Sequence, residues 1–165
     1  MIYRYKSTFT RPGNATIYTA GDAVTDAAGD PITIIPAGAI REGYIMGAKL
    51  SIGNGNVTNG TFRLFLFSDD DNLPTITDNS ALVLDVDAEE DLIGYLDFTL
   101  DGAGSSGSTV ALDSLADLYV PYVAKNLSTG RKGGIYGILA ATGAYDPIGE
   151  LTVVDVVLSI EPSEE

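Results

Sequence analysis

Residues 60–98 read GTFRLFLFSDDDNLPTITDNSALVLDVDAEEDLIGYLDF and give the clearest indication of the fold. Nearly every residue in positions 61–67 is β-branched, aromatic or large and apolar, and an acidic run follows directly. A short apolar run with such borders predicts a buried strand rather than a helix. Residues 81–84 and 92–98 are apolar again, on either side of an acidic turn. The stretch therefore predicts three strands of a meander built around one core.

Further short runs predict strands on both sides of this meander. Glycine- and proline-rich turns separate the runs, and no segment shows helical spacing apart from one turn at 114–117. Pro121 inside one run indicates an edge strand or a bulge. The predicted strands cover residues 16–19, 32–35, 43–52, 109–112, 118–124, 135–141 and 151–160, and residues 1–11 alternate like a strand with one apolar face.

Three of these runs carry a prediction of which faces are apolar. In residues 43–52, one face holds the apolar side chains and Ile45 is an exception on the other; the predicted core face is Tyr44, Met46, Ala48, Leu50 and Ile52. Residues 134–141 are apolar on both faces. Val153 and Val157 lie on the side of the last strand that should face solvent. This apolar excess predicts a covered face, through either a second sheet or oligomer contacts.

Together these patterns predict about eight to ten strands and an all-β fold, an antiparallel β-sandwich of jelly-roll type with an N-terminal arm. A chain of 165 residues suits one domain. We assign residues 1–13 to the arm, residues 14–161 to the β-sandwich domain and residues 162–165 to a frayed tail.

Composition excludes several classes of site. The chain contains no cysteine and no histidine, which removes disulfides, thiolate metal sites and the usual general base. We expect no enzyme activity and no cofactor. The N-terminus lacks the apolar core of a signal peptide, and no window has the length of a membrane span, so we expect no membrane partner and synthesis in the cytoplasm.

The formal net charge is −14, which argues against nucleic acid as a partner because phosphate binding needs basic surface. The first eleven residues nevertheless contain three of the nine Lys and Arg residues and none of the 23 acids. A basic, aromatic segment on an acidic body predicts a contact with a partner, through strand addition and ion pairs. The predicted contact residues are Tyr3, Arg4, Tyr5, Lys6, Phe9 and Arg11; the alternative is a first strand with ordinary surface charges.

The acidic residues give only weak candidates for other sites. Asp69, Asp70 and Asp71 offer oxygen ligands for Ca²⁺, but their spacing does not match an EF-hand loop, and solvated acids at a strand end are the alternative. The acids in residues 85–91 are weak candidates for a metal site for the same reason. A glycoside-cleaving carboxylate pair would have to come from Glu42, Glu89, Glu90 or Glu150, and the chain has no Trp as a sugar platform. The basic group of Lys125, Arg131 and Lys132 is typical of a solvated turn.

The chain resembles the small jelly-roll decoration, or cement, proteins of tailed-bacteriophage heads. The resemblance covers residues 8–160 and rests on the order of five segments. They are TFTRPGNATIYTAGDAVTD at 8–26, GYIMGAKLSI at 43–52, TFRLFLFSDDDNLPTITDNSAL at 61–82, DVDAEEDLIGYLDF at 85–98 and GGIYGILAATGAYDPIGELTVVDVVLSI at 133–160.

This resemblance implies a non-enzymatic virion protein on the outer capsid surface. It implies a homotrimer that binds the major capsid protein where subunits meet and stabilises the shell. The alternative is a carbohydrate- or receptor-binding module of a head fibre or tail, with Tyr44, Tyr95, Tyr119, Tyr122 and Tyr145 as stacking surfaces.

Overall fold

The computed structural model describes residues 1–13, 16–36, 42–53, 60–69, 73–100, 108–113, 120–123, 134–147 and 153–162, with the backbone alone at 42, 108–113 and 120–123. The described chain forms strands and one short helix. In chain order they are β1 Tyr3–Thr10, β2 Ala23–Val24, β3 Ile32–Ile35, β4 Glu42–Gly53, β5 Thr61–Phe67, α1 Val86–Glu90, β6 Leu92–Thr99, β7 Ser108–Asp113, β8 Val120–Val123, β9 Ile135–Ala141 and β10 Val153–Pro162.

The strands form two antiparallel sheets of five. The first sheet has the order β1-β10-β4, with β7 and β8 one after the other along the far edge of β4. The second sheet has β2 and β3 along one edge of β9, followed by β5 and β6. Along the chain, single strands or consecutive pairs alternate between the two sheets. This confirms the predicted antiparallel sandwich of jelly-roll type, whose sheets each bury one face against the other.

The core between the sheets follows from strict alternation within strands. Phe62, Leu64 and Leu66 of β5 point inward, and Arg63 and Phe65 lie on the other face. Residues 154, 156, 158 and 160 of β10 are buried in the same way, as their period-2 pattern predicts. Tyr18 and Tyr145 close one end of this core with stacked rings whose centroids lie 5.4 Å apart.

The predicted facing of β4 is wrong at its first residues. A register shift in the pairing of β4 with β10 places Ser159 opposite Gly47 but Ile160 opposite Ile45, so Met46 is an extra residue. A bulge of this kind reverses the inward and outward sides of the strand beyond it. Ile45 is therefore buried and Tyr44 exposed, whereas Ala48, Leu50 and Ile52 face the core as predicted.

The apolar excess of β9 has a cover within the same chain. All seven residues of β9 are buried, and Tyr136 and Ile138 face away from the main core. Residues 73–91, the covering segment, fold over this outer face of the second sheet and contribute Leu73, Ile76, Leu82 and Leu84 to a second apolar cluster. A connection between β5 and β6 thus replaces the second sheet or oligomer contact that the sequence pattern predicts.

The covering segment is joined to the β2 region by backbone hydrogen bonds. The amides of Ala23 and Leu82 donate to the carbonyls of Ser80 and Gly21 at 2.9 and 2.8 Å, and the Ile76 amide donates to the Gly29 carbonyl at 2.9 Å. The strand predicted at residues 81–84 is absent; only a bridge between Ala81 and Asp22 forms. Leu82 and Leu84 of this run pack against the second cluster, whereas Val83 is exposed.

Other boundaries also differ from the predictions. The acidic turn contains the helix α1, because the Asp85 side chain accepts a hydrogen bond from the Ala88 amide at 2.9 Å and so caps its first turn. The strand predicted at residues 16–19 is reduced to one bridge between Tyr18 and Tyr145. Pro162, assigned to the frayed tail, pairs with Gly43 at the end of β10. Residues 163–165 and the helical turn predicted at 114–117 lie outside the described residues.

Candidate partner-binding surface

The predicted N-terminal arm is an edge strand of the first sheet. One edge of β1 pairs with β10 over its whole length, from Tyr3 opposite Ile160 to Thr10 opposite Val153. Within the described ranges, no strand pairs with the other edge. The backbone N–H and C=O groups of an edge strand can pair with a strand of another protein. The structure therefore offers a site for strand addition at the segment where the charge pattern predicts a partner.

The side chains of β1 divide into two groups. Tyr5 and Phe9 are half-buried and pack against the main core, which fixes β1 to its own sheet. Arg4 and Lys6 are exposed on the outer face. The N-terminal end of the strand is also exposed: Met1, Ile2 and Tyr3 have relative exposures of 88%, 56% and 45%. Of the predicted contact residues, Tyr3, Arg4 and Lys6 are thus within reach of a partner.

Lys6 belongs to a small ionic cluster on the outer face of the first sheet. Its Nζ lies 2.8 Å from Asp155 Oδ2, and the Thr8 hydroxyl donates to Asp155 Oδ1 at 2.6 Å. Partial burial of Asp155 opposes its ionisation, but these hydrogen bonds and the positive charges of Lys6 and Lys49 outweigh burial and hold its pKa below the usual value. Asp155 is therefore a carboxylate that holds the side chains of Lys6 and Thr8 in place.

Arg11, also predicted to contact a partner, lies inside the protein. Its side chain is fully buried, with Nη1 3.3 Å from the Tyr18 hydroxyl and 3.8 Å from Asp78 Oδ2. The Tyr18 hydroxyl donates to Asp78 Oδ1 at 2.6 Å, and the Thr25 amide donates to the same oxygen at 3.1 Å. This network joins the end of β1 to the covering segment. The guanidinium is thus a structural contact that supports β1 from within.

The buried network predicts a specific loss of stability in alkali. Burial, followed by the hydrogen bond to Asp78, raises the pKa of Tyr18 far above its usual value. The unfolded phenol loses its proton near pH 10, so the stabilisation is complete below that pH and is lost as pH rises further. The stability difference between the native chain and Tyr18→Phe should stay constant from about pH 7 to 9 and then shrink by about 1.4 kcal/mol per pH unit. Urea unfolding at each pH measures it, and a constant difference up to about pH 11 would contradict the prediction.

The outer face of the second sheet carries a groove beside the covering segment. Its volume is about 650 Å³, and its walls include Arg63, Phe65, Leu84 and Glu89. Arg63 forms paired hydrogen bonds of 2.7 and 2.8 Å to Asp97, and the hydrogen bond from Arg63 lowers the pKa of that carboxyl group. Residue-type patterns did not predict this groove, although an arginine within the apolar β5 was a visible signal of an outer face.

The tyrosines proposed as sugar platforms do not come together. Tyr145 is buried, Tyr44 is exposed on the first sheet, and Tyr95 lies on the outer face of the second sheet with the Arg63 guanidinium 3.9 Å from its ring centre. Tyr119 and the side chain of Tyr122 lie outside the described residues. The described tyrosines therefore form no common stacking surface.

The carboxylates also remain dispersed. Asp69 follows the end of β5, and Asp70 and Asp71 lie outside the described residues. In the part of the chain that the structure describes, no group of three or more acidic side chains is placed to hold a metal ion. Glu89 and Glu90 are exposed on α1, while Glu150 and the side chain of Glu42 are not described. Lys125, Arg131 and Lys132 likewise fall outside the described ranges.

Comparisons with known proteins give structural neighbours only. No family model matches the chain, and no curated protein matches it. In the described ranges, no helix has the length and apolar character needed to span a membrane.

Viral capsid chains are structural neighbours of this protein. A chain in the capsid asymmetric unit of cyanophage Pam1 matches with 10% identity and a TM-score of 0.38, over 98% of this chain and 85% of that one. A chain of the Macrobrachium rosenbergii nodavirus particle matches with 14% identity and a TM-score of 0.33, over 99% and 94%. The BFDV capsid protein matches with 12% identity and a TM-score of 0.30, over 99% of both chains. These identities are too low to assign the chain to a family.

Proposed function

We propose that the chain is a non-enzymatic structural protein of a tailed-bacteriophage virion. It decorates the capsid and stabilises it by binding where subunits of the major capsid protein meet. The proposal rests on the open edge of β1. The N-terminal end of this strand carries exposed apolar residues, and its outer face carries basic side chains. The strand belongs to a jelly-roll body. The sequence resemblance to decoration proteins supports the same role.

The binding mechanism combines strand addition with ion pairs. A strand of the shell protein pairs with the open edge of β1, and acidic side chains of the shell meet Arg4 and Lys6. Tyr3 and the residues before it bury apolar surface against the shell, at about 25 cal/mol per Å². Tyr5, Phe9 and Arg11 act differently, because they hold β1 firmly in its own sheet. A preorganised strand loses little conformational entropy on binding.

Assembly into a homotrimer would multiply these contacts. Three copies of β1 presented together engage neighbouring capsid subunits at once, so that a modest affinity at each contact gives strong attachment. The remaining surface is acidic, and its repulsion of like charges keeps neighbouring decorations apart and soluble.

Removing residues 1–3 is expected to weaken binding to phage heads at least tenfold and to leave the fold intact. These side chains are largely exposed and contribute little to the core, whereas Arg4–Thr10 still form most of β1. Co-sedimentation with heads that lack this protein measures binding, and thermal unfolding checks the fold.

The matched control removes residues 163–165 from the other terminus. If the N-terminal truncation binds heads as strongly as this control, attachment through β1 is contradicted. A longer deletion to residue 11 is a poorer test, since it also removes the buried Arg11 and uncovers the edge of β10.

A further inference from the structure

The positive charges of this acidic protein collect on one face. Three of the five Lys and Arg side chains that the structure describes, Arg4, Lys6 and Lys49, belong to strands β1 and β4 and lie on the outer side of the first sheet. The other two are buried Arg11 and Arg63, which is paired with Asp97 on the second sheet. Among the side chains that the structure describes on this outer face, only Asp155 and Glu161 are acidic.

Strand register places the cations around an apolar centre. Val157 of β10 lies directly between Lys6 of β1 and Lys49 of β4. Because adjacent strands are about 4.8 Å apart, the backbones of the two lysines are separated by about 10 Å. Val153, further along β10, is 42% exposed. Lys6 is paired with Asp155 but remains more than half exposed, so Arg4 and Lys49 supply most of the charge that attracts a partner.

The opposite side of the sandwich has the opposite charge. The helix α1 lies outside the second sheet, and its exposed side chains include Asp87, Glu89 and Glu90. Charge is thus separated across the thickness of the protein, with the basic face on the first sheet and the acidic face on the covering segment. Such a separation orients a protein as it approaches a charged surface.

We infer that the outer face of the first sheet is a docking site for an acidic protein surface. The surface it fits presents carboxylates to Arg4 and Lys49 and an apolar side chain to Val157. This inference rests on the proposed function and deepens it: the shell would contact the whole outer face of β1, β10 and β4 in addition to the edge of β1. The acidic α1 would then point away from the shell.

The decisive variant is Lys49→Glu, because Lys49 lies on β4, two strands away from the edge where strand addition occurs. If the outer face binds, this variant should bind phage heads lacking the protein at least tenfold more weakly than the native chain. The loss should diminish as salt rises from about 50 to 200 mM, because exposed charges are screened. Arg63→Glu is the matched control, with the same charge change on the opposite face, and should bind within about twofold of the native chain. Thermal unfolding of both variants verifies the fold.

The outcomes separate the two levels of the proposal. If the native chain binds heads and Lys49→Glu binds equally well, the docking face is overturned and attachment through β1 stands. If Lys49→Glu and Arg63→Glu weaken binding equally, net charge explains the effect and the docking face is likewise overturned. Failure of the native chain to bind heads overturns both proposals. If the native chain binds a DNA duplex of about 20 base pairs and Lys49→Glu abolishes that binding, the face belongs to nucleic acid instead and the proposal is overturned.

Discussion

Replacing Asp78 by Asn is expected to lower the free energy of unfolding by about 3–5 kcal/mol, the usual cost of breaking a buried ion pair. The change removes the negative charge that lies 3.8 Å from the buried guanidinium of Arg11, and it weakens the hydrogen bonds that the Tyr18 hydroxyl and Thr25 amide donate. Urea unfolding at neutral pH measures the loss. Because this network joins the end of β1 to the covering segment, the loss should be accompanied by faster amide exchange in both.

A double-mutant cycle tests whether the pair is the cause. Arg11→Met removes the buried charge but keeps an unbranched apolar chain, so the variant with both changes should lose clearly less stability than the sum of the two single losses. Asp97→Asn is the exposed counterpart, since its pair with Arg63 lies at the surface, and such pairs contribute about 0–1 kcal/mol. A loss from Asp78→Asn as small as that from Asp97→Asn would contradict the structural role of the network.

Replacing Gly29 by Ala is expected to destabilise the protein by about 3 kcal/mol or more and to loosen the covering segment. Gly29 has a φ of +75°, which disfavours any side chain, and a Cβ there would collide with the carbonyl oxygen of Ile76. The backbone must shift to relieve the collision, and this breaks the hydrogen bond from the Ile76 amide to the Gly29 carbonyl. Thermal and urea unfolding measure the loss, and proteolysis within residues 73–91 reports the loosening.

Gly21→Ala is the matched control for this prediction. Gly21 also has a positive φ, of +96°, but a Cβ at that position meets no atom within 4 Å. Its substitution should therefore cost only the backbone strain, about 1–2 kcal/mol. If the two substitutions cost the same, the contact of Gly29 with Ile76 does not anchor the covering segment.

The fold could be predicted well where the pattern of apolar residues in a strand matched its burial. β10 alternates cleanly, because it pairs on both sides and faces the core with every second residue, and the apolar run of β5 was enough to predict a buried strand. The prediction was wrong where a bulge or a helix cap altered the expected alternation of the strand. A bulge opposite β10 reversed the beginning of β4, and α1 arose from the cap at Asp85 within a run that looked like a turn. Neither feature is visible in the periodicity of a single segment.

The candidate surface could be predicted only in outline. Alternation in residues 3–9 placed an apolar and a basic face on β1, and the basic side chains Arg4 and Lys6 are indeed exposed. Arg11 looked like part of the same basic group. Its charge is buried because Asp78, which is 67 residues further along the chain, returns to it through the covering segment.

Composition and the two-residue period of a strand were enough to predict the class of fold, the acidic net charge and the basic, aromatic start of the chain. Three features appear only in the folded protein: which strands are edges, what covers β9, and the position of Lys49 beside Arg4 and Lys6 on one face. They are absent from local patterns because jelly-roll pairing brings together strands far apart in sequence, with β10 between β1 and β4. Their neighbours across the sheet therefore depend on register, which no local pattern contains.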